Sequence, residues 1–159
     1  MKVLLAGSYR GGYRTVIDGI ASEMVRQGAI VNVLGMHYNN EQHDNGYGLL
    51  RAHAEYIPVQ IKGVQKNMPH DAVLLVGDIP QILPTAQLTE GAACLFPVES
   101  GPLHPAWAEQ LSSHRCFTFT RYNAEQCELA GLKAMRIGVG TDPFWEPASM
   151  EIARDIVAL

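Results

Sequence analysis

Short apolar runs alternate along this chain with stretches of helical period. Lys2-Val3-Leu4-Leu5-Ala6 reads as a buried strand and runs into the glycine-rich turn Gly7-Ser8-Tyr9-Arg10-Gly11-Gly12. From Tyr13 to Gln27, the residues Val16, Ile17, Ile20, Met24 and Val25 recur at three- and four-residue spacing, which marks one face of a helix. Gly28 is its expected C-cap, and Ile30-Val31-Asn32-Val33-Leu34 the second strand. The polar segment from Met36 to Gly48 is expected to be a loop, and Glu55 to Ile61 a short strand despite Pro58.

The alternation continues. Asp71 to Gly77 is a strand, Leu83 to Leu88 a helix limited by Pro80 and Pro84, and Ala92 to Pro97 a strand. Val98 to Pro105 is a loop, Trp107 to Leu111 a helix, Cys116 to Thr120 a strand, Asn123 to Ala130 a helix ending at Gly131, and Ala134 to Ile137 a last strand. Met150 to Leu159 has a helical pattern with Ser149 as N-cap, giving a Rossmann-like domain over 1–147 and a helical tail over 148–159. This order predicts a single α/β domain: a Rossmann-like, doubly wound, mainly parallel sheet with helices on both faces. Ligands of such sheets bind at the carboxyl ends of the strands.

Composition narrows this only slightly. The 159 residues are 47% hydrophobic and 18% charged, which suits one globular domain. Twelve basic against 16 acidic residues give a net charge of −4, against a general nucleic-acid binder. No run approaches the roughly 20 apolar residues of a membrane helix, and the N-terminus lacks a signal-peptide layout, so a cytoplasmic location is expected. Cys94, Cys116 and Cys127 have no CxxC spacing and read as free thiols. The six histidines show no ligand spacing, so no metal is expected.

Candidate chemistry gathers at the predicted strand ends. Backbone N–H groups at Gly11 and Gly12 would open a helix and favour an anion, with Ser8, Arg10 and Arg14 beside them. The spacing is neither GxGxxG nor a P-loop, so a tight turn without ligand fits equally well. Asp78 and Glu99 follow buried strands. Each carboxylate can act as a base, orient a hydroxyl or be a plain surface acid, and Asp78 can also cap the next helix. His104 shares the Glu99 loop, and no nucleophile elbow surrounds Ser8.

Two stretches together resemble a known family. Gly11-Gly12, the helix, Gly28 and Ile30 to Leu34 form the first. The second comprises Phe96-Pro97-Val98-Glu99-Ser100-Gly101-Pro102-Leu103, Trp107-Ala108-Glu109, Thr118 to Gly131 and Gly138 to Pro147. The pattern resembles the N-terminal domain of GT-B fold glycosyltransferases, in particular the retaining family 4. It departs from it at Ala29 (usually His), Glu99 (usually Asp), Thr120-Arg121 (usually Ser-Arg or Ser-Lys) and the extra Gly140-Thr141.

The resemblance implies two Rossmann-like domains with the active site between them. The N-terminal one mainly binds acceptor, and its glycine turn reaches the diphosphate of a nucleoside-diphosphate sugar. On that reading Gly11, Gly12, Ser8, Arg10 and Arg121 contact the donor, and Glu99 and Asp78 orient the acceptor hydroxyl. No counterpart of the donor-binding Glu-x7-Glu motif is found in this sequence. A partner chain carrying a donor domain, or a homo-oligomer, is therefore expected, with a small molecule or glycan as acceptor. Two other readings fit the same residues: a non-catalytic binding module derived from such a half, and another nucleotide-binding protein on a Rossmann-like sheet.

Overall fold

The computed structural model describes residues 1–39 and 46–137. The strands are β1 Lys2–Ser8, β2 Ile30–Met36, β3 Gly48–Ala52, β4 Ala72–Val76, β5 Ala93–Leu95, β6 Arg115–Thr118 and β7 Ala134–Arg136. The helices are α1 Gly11–Arg26, α2 Ile57–Asn67, α3 Ile79–Ala86, α4 Pro105–Leu111 and α5 Arg121–Leu129, with a 3-10 turn at Ala54–Tyr56. One seven-stranded sheet has the order β3-β2-β1-β4-β5-β6-β7, and every pairing is parallel. The described residues form a single α/β Rossmann-like domain with helices on both faces, and their sheet is wholly rather than mainly parallel. The predicted tail helix at 150–159 and the Gly138 to Pro147 stretch lie outside the described residues.

β1 lies near the middle of the sheet and is buried on both sides, which is why its sequence is a continuous apolar run. Its alternate residues feed two cores. Leu4 and Ala6 join Ile57 and Ile61 of α2, Ile82 and Leu83 of α3, Leu111 of α4 and Cys127 of α5. Val3 and Leu5 join Ile17 and Ala21 of α1 on the opposite face. A fully buried valine or leucine contributes about 1.5–3 kcal/mol, so Leu4 on one face and Val3 and Leu5 on the other help fix the two helix layers. α1 ends where Gly28 takes φ 85°. Its N–H donates to Val25 O at 2.9 Å and that of Ala29 to Met24 O at 2.9 Å, so a left-handed glycine satisfies the last carbonyls.

Two expectations are corrected. Glu55 to Ile61 is not a strand: it spans the end of the 3-10 turn and the start of α2. Pro58 lies in the first turn of that helix, where its missing N–H has no helical partner to lose. The strand is β3, just upstream, and Leu49-Leu50 in a short edge strand gives too little alternation to reveal it. The helix expected from Leu83 starts at Ile79 by the same logic, with Pro80 in its first turn and Pro84 inside it.

All three cysteines are buried and free. Burial pushes the thiol of Cys94 up to about 12 and those of Cys116 and Cys127 up to about 11, so they behave as small apolar side chains.

Before β4, His70 bridges two elements. Its Nε2 accepts from Asn32 Nδ2 at 2.9 Å, and its Nδ1 donates to Gln65 Oε1 at 2.9 Å. Burial lowers its pKa, and the Asn32 bond requires the neutral ring. Below the ordinary histidine value of about 6.5, the unfolded chain takes up this proton before the folded one does. Stability from His70 is therefore fully present above that value and falls as the pH drops through it towards the lower folded pKa. Urea unfolding of His70→Gln should show a shallower loss of stability between about pH 6.5 and 5 than wild type; parallel curves would refute the assignment.

Candidate functional site

The strand order reverses direction between β1 and β4, and the crevice at their carboxyl ends is the switch point of the sheet. β1 and β4 pair up to Gly7 and Val76. A Cβ on Gly7 would strike the Val76 carbonyl, so only glycine permits this pairing. Ser8 is buried at the end of β1, and the chain then turns through Tyr9 and Arg10 into α1.

Gly11 and Gly12 open α1. Gly11 has φ 55°, and neither glycine would meet another atom within 4 Å if given a Cβ, so space lies open above both. Arg10 occupies the N-cap position without a side-chain cap bond, and the first turn of α1 holds no acid. The first-turn amides thus receive no bond from the Arg10 side chain or from a first-turn acid, and the helix dipole favours an anion there.

Asp78 follows β4 at the N-cap position of α3 but does not cap it with its side chain. Its carboxylate instead accepts a hydrogen bond from the Tyr13 hydroxyl, from the first turn of α1. This bond spans the switch point. Burial, then the Asp78 contact, push the Tyr13 phenol well above its usual range, so it stays a neutral donor. Glu99 adds to that effect at longer range, which brings the β5 loop into the same electrostatic neighbourhood. Tyr13 is a site residue the sequence reading missed. A tyrosine one position past a glycine pair carries no signal until β4 is known to lie beside β1.

Glu99 is exposed on the loop after β5. Two buried bonds hold that loop. Thr118 Oγ1 donates to Phe96 O at 2.9 Å, and Asn123 Nδ2 donates to Val98 O at 2.6 Å. Thr120 N-caps α5 by accepting from Asn123 N at 3.1 Å, so Asn123 is held at the helix start through its backbone and holds the loop through its side chain. His104 has a structural role here, as its Nδ1 accepts from Ala106 N at 3.2 Å to cap α4. Arg121 opens α5 at the same sheet edge, largely exposed, with Nε 2.8 Å from Glu125 Oε1.

Arg14 is engaged within α1. Its Nε lies 3.6 Å from Asp18 Oδ2 and its guanidinium 5.3 Å from the Tyr9 ring centre. Asp18 also accepts from the hydroxyls of Tyr9 and Tyr47, each at 2.6 Å. Burial and these bonds raise the Tyr9 phenol far above its ordinary value. This cluster pins α1 to the segment before β3, leaving Arg10 as the basic side chain at the turn.

The switch point therefore brings Gly11, Gly12, Tyr13 and Asp78 together, with Ser8 beneath and Glu99 nearby; Arg121 stands further along the edge, beyond β5. A separate cavity of about 350 Å³ opens at the carboxyl ends of β2 and β3. Among the described residues no three His, Cys, Asp or Glu gather as metal ligands, and no helix is long and apolar enough to cross a membrane. No model of a known protein family matches this chain, and no curated protein does. The glycosyltransferase resemblance thus rests on the motifs quoted above alone.

Removing the Tyr13 hydroxyl tests the bridge. Tyr13→Phe should cost about 1.5–3 kcal/mol of unfolding free energy, since a partly buried charge loses its donor. An unchanged urea midpoint would mean that the bond contributes nothing.

Proposed function

We propose that this domain binds the diphosphate end of a nucleoside-diphosphate sugar over the Gly11–Gly12 turn. With a donor-binding domain supplied by a partner chain or a second copy, it would transfer the sugar to an acceptor hydroxyl. The observation that carries this reading is the uncapped start of α1, opening into free space at the switch point beside Asp78.

In this reaction the bond from the anomeric carbon to the diphosphate breaks and a bond to the acceptor oxygen forms. Negative charge grows on the departing phosphate. Backbone N–H groups fixed at the turn would stabilise that charge without reorganising, and Arg10 would add a positive group. Glu99, exposed on a braced loop, would orient the acceptor hydroxyl and take up its proton. Asp78 fits a positioning role better than that of a base, because Tyr13 already donates to it.

That last point also favours a second reading, a binding module without chemistry, in which the Tyr13–Asp78 bond simply shapes the turn. Calorimetry with UDP-, GDP- and ADP-sugars separates the two, with a dinucleotide as the probe for another nucleotide-binding class. Sugar-nucleotide binding that strengthens with a donor-domain partner supports transfer, while glycan or protein binding without nucleotide supports the module.

Gly12→Val adds its Cβ where nothing lies within 4 Å beyond the chain neighbours and the backbone of α1 itself. Valine has a better helix propensity than glycine, and Gly12 does not have a positive φ, so the fold should persist. Sugar-nucleotide affinity should fall about tenfold or more as phosphate access is blocked. Unaltered affinity in the folded variant would exclude the turn as the phosphate site.

A further inference from the structure

The cavity at the carboxyl ends of β2 and β3 stands apart from the turn and is carried by different residues. His37, Arg51, Ala52, His53, Ala54, Glu55 and Tyr56 line it. Three of these carry or can carry positive charge, against the single carboxylate of Glu55. This contrasts with a chain whose net charge is −4. Among the described residues no ion pair engages Arg51.

The walls are built rather than incidental. Gln60 of α2 reaches back to both sides of the cavity rim: its Oε1 accepts from His53 N at 2.9 Å, and its Nε2 donates to Arg51 O at 3.4 Å. Two of the three backbone positions that bear the cationic side chains, Arg51 and His53, are thereby fixed before any ligand arrives. His37, the first residue after β2, has φ 65° and is the one non-glycine residue with positive φ among the described residues. Such a conformation is uncommon outside glycine and collects at ligand-binding positions. Tyr56 leaves 58% of its surface exposed at the same cavity, an aromatic face without cover.

From this set we infer that the cavity binds a small ring-bearing anion. Its phosphate or carboxylate group would be held by Arg51 with His37 and His53, and its ring laid against Tyr56. Guanidinium and imidazole donors suit a multi-oxygen anion, and the aromatic face adds a sequence-independent apolar contact. The inference does not depend on the glycosyltransferase reading.

The test is an NMR titration of the full chain, labelled at histidine and glycine, with phenyl phosphate, benzoate and inorganic phosphate. The ring signals of His37 and His53 should move together along one saturable curve. Phenyl phosphate should bind more tightly than inorganic phosphate, and the comparison with benzoate tells a phosphate site from a carboxylate site. Arg51→Ala should weaken binding about tenfold or more, and Tyr56→Ala should remove the advantage of the ring. Both side chains are exposed, so each variant should keep its far-ultraviolet circular dichroism; Lys133→Ala, remote from the cavity, should bind as wild type. Non-saturating shifts, or an Arg51→Ala variant that binds unchanged, would overturn the inference. Saturable shifts confined to the amides of Gly11 and Gly12 would overturn it too, while leaving the phosphate reading of the turn intact.

Discussion

Because all seven strands run the same way, every segment leaving a strand's carboxyl end emerges on one edge of the sheet. That constraint decides where chemistry can sit. The turn after β1, Asp78 after β4, Glu99 after β5 and Arg121 beyond β6 are scattered over 114 residues of sequence, from Ser8 to Arg121, yet share one rim. The constraint depends in turn on a single close approach: Gly7 lies against the backbone of Val76, and no larger residue would let β1 and β4 run side by side into the switch point.

The rim is then made specific by polar bonds between segments that the sheet alone would leave loose. Tyr13 ties α1 to Asp78, Asn123 ties α5 to Val98, and Thr118 ties β6 to Phe96. Each joins a side chain to a partner distant in sequence, and in two of the three the acceptor is a backbone carbonyl that burial would otherwise leave unsatisfied. Glu99 owes its placement to this bracing more than to its own contacts.

The parallel α/β architecture was accessible from the sequence because most of its strands are apolar runs punctuated by glycine that alternate with helical segments. β3 was not, since an edge strand needs little hydrophobicity and Gly48 answers to the carboxamide of Asn32 on the neighbouring strand rather than to any local rule. Pro58 spoke against the strand expected there and Pro80 was read as a limit to a helix, whereas each sits in the first turn of a helix, where proline is suited. The glycine turn and the two acids stood out as residue types at strand ends. Tyr13, Asn123 and the wall of histidines and Arg51 did not, because their roles arise from pairings between elements, which no local spacing encodes.

The two faces of the sheet are unequally dressed. Helices α2 to α5 share one core, whereas α1 alone among the described helices covers the other. Along the row Val76, Leu95, Phe117 and Met135, cover thins from complete burial to 64% exposure at Met135. The helix that begins at the Gly11–Gly12 turn is thus also the clamp on Val3, Leu5, Val31 and Val33. Turn and core stand mechanically in series: a ligand held at the start of α1 would also tighten the packing behind it and slow amide exchange deep in β1 and β2.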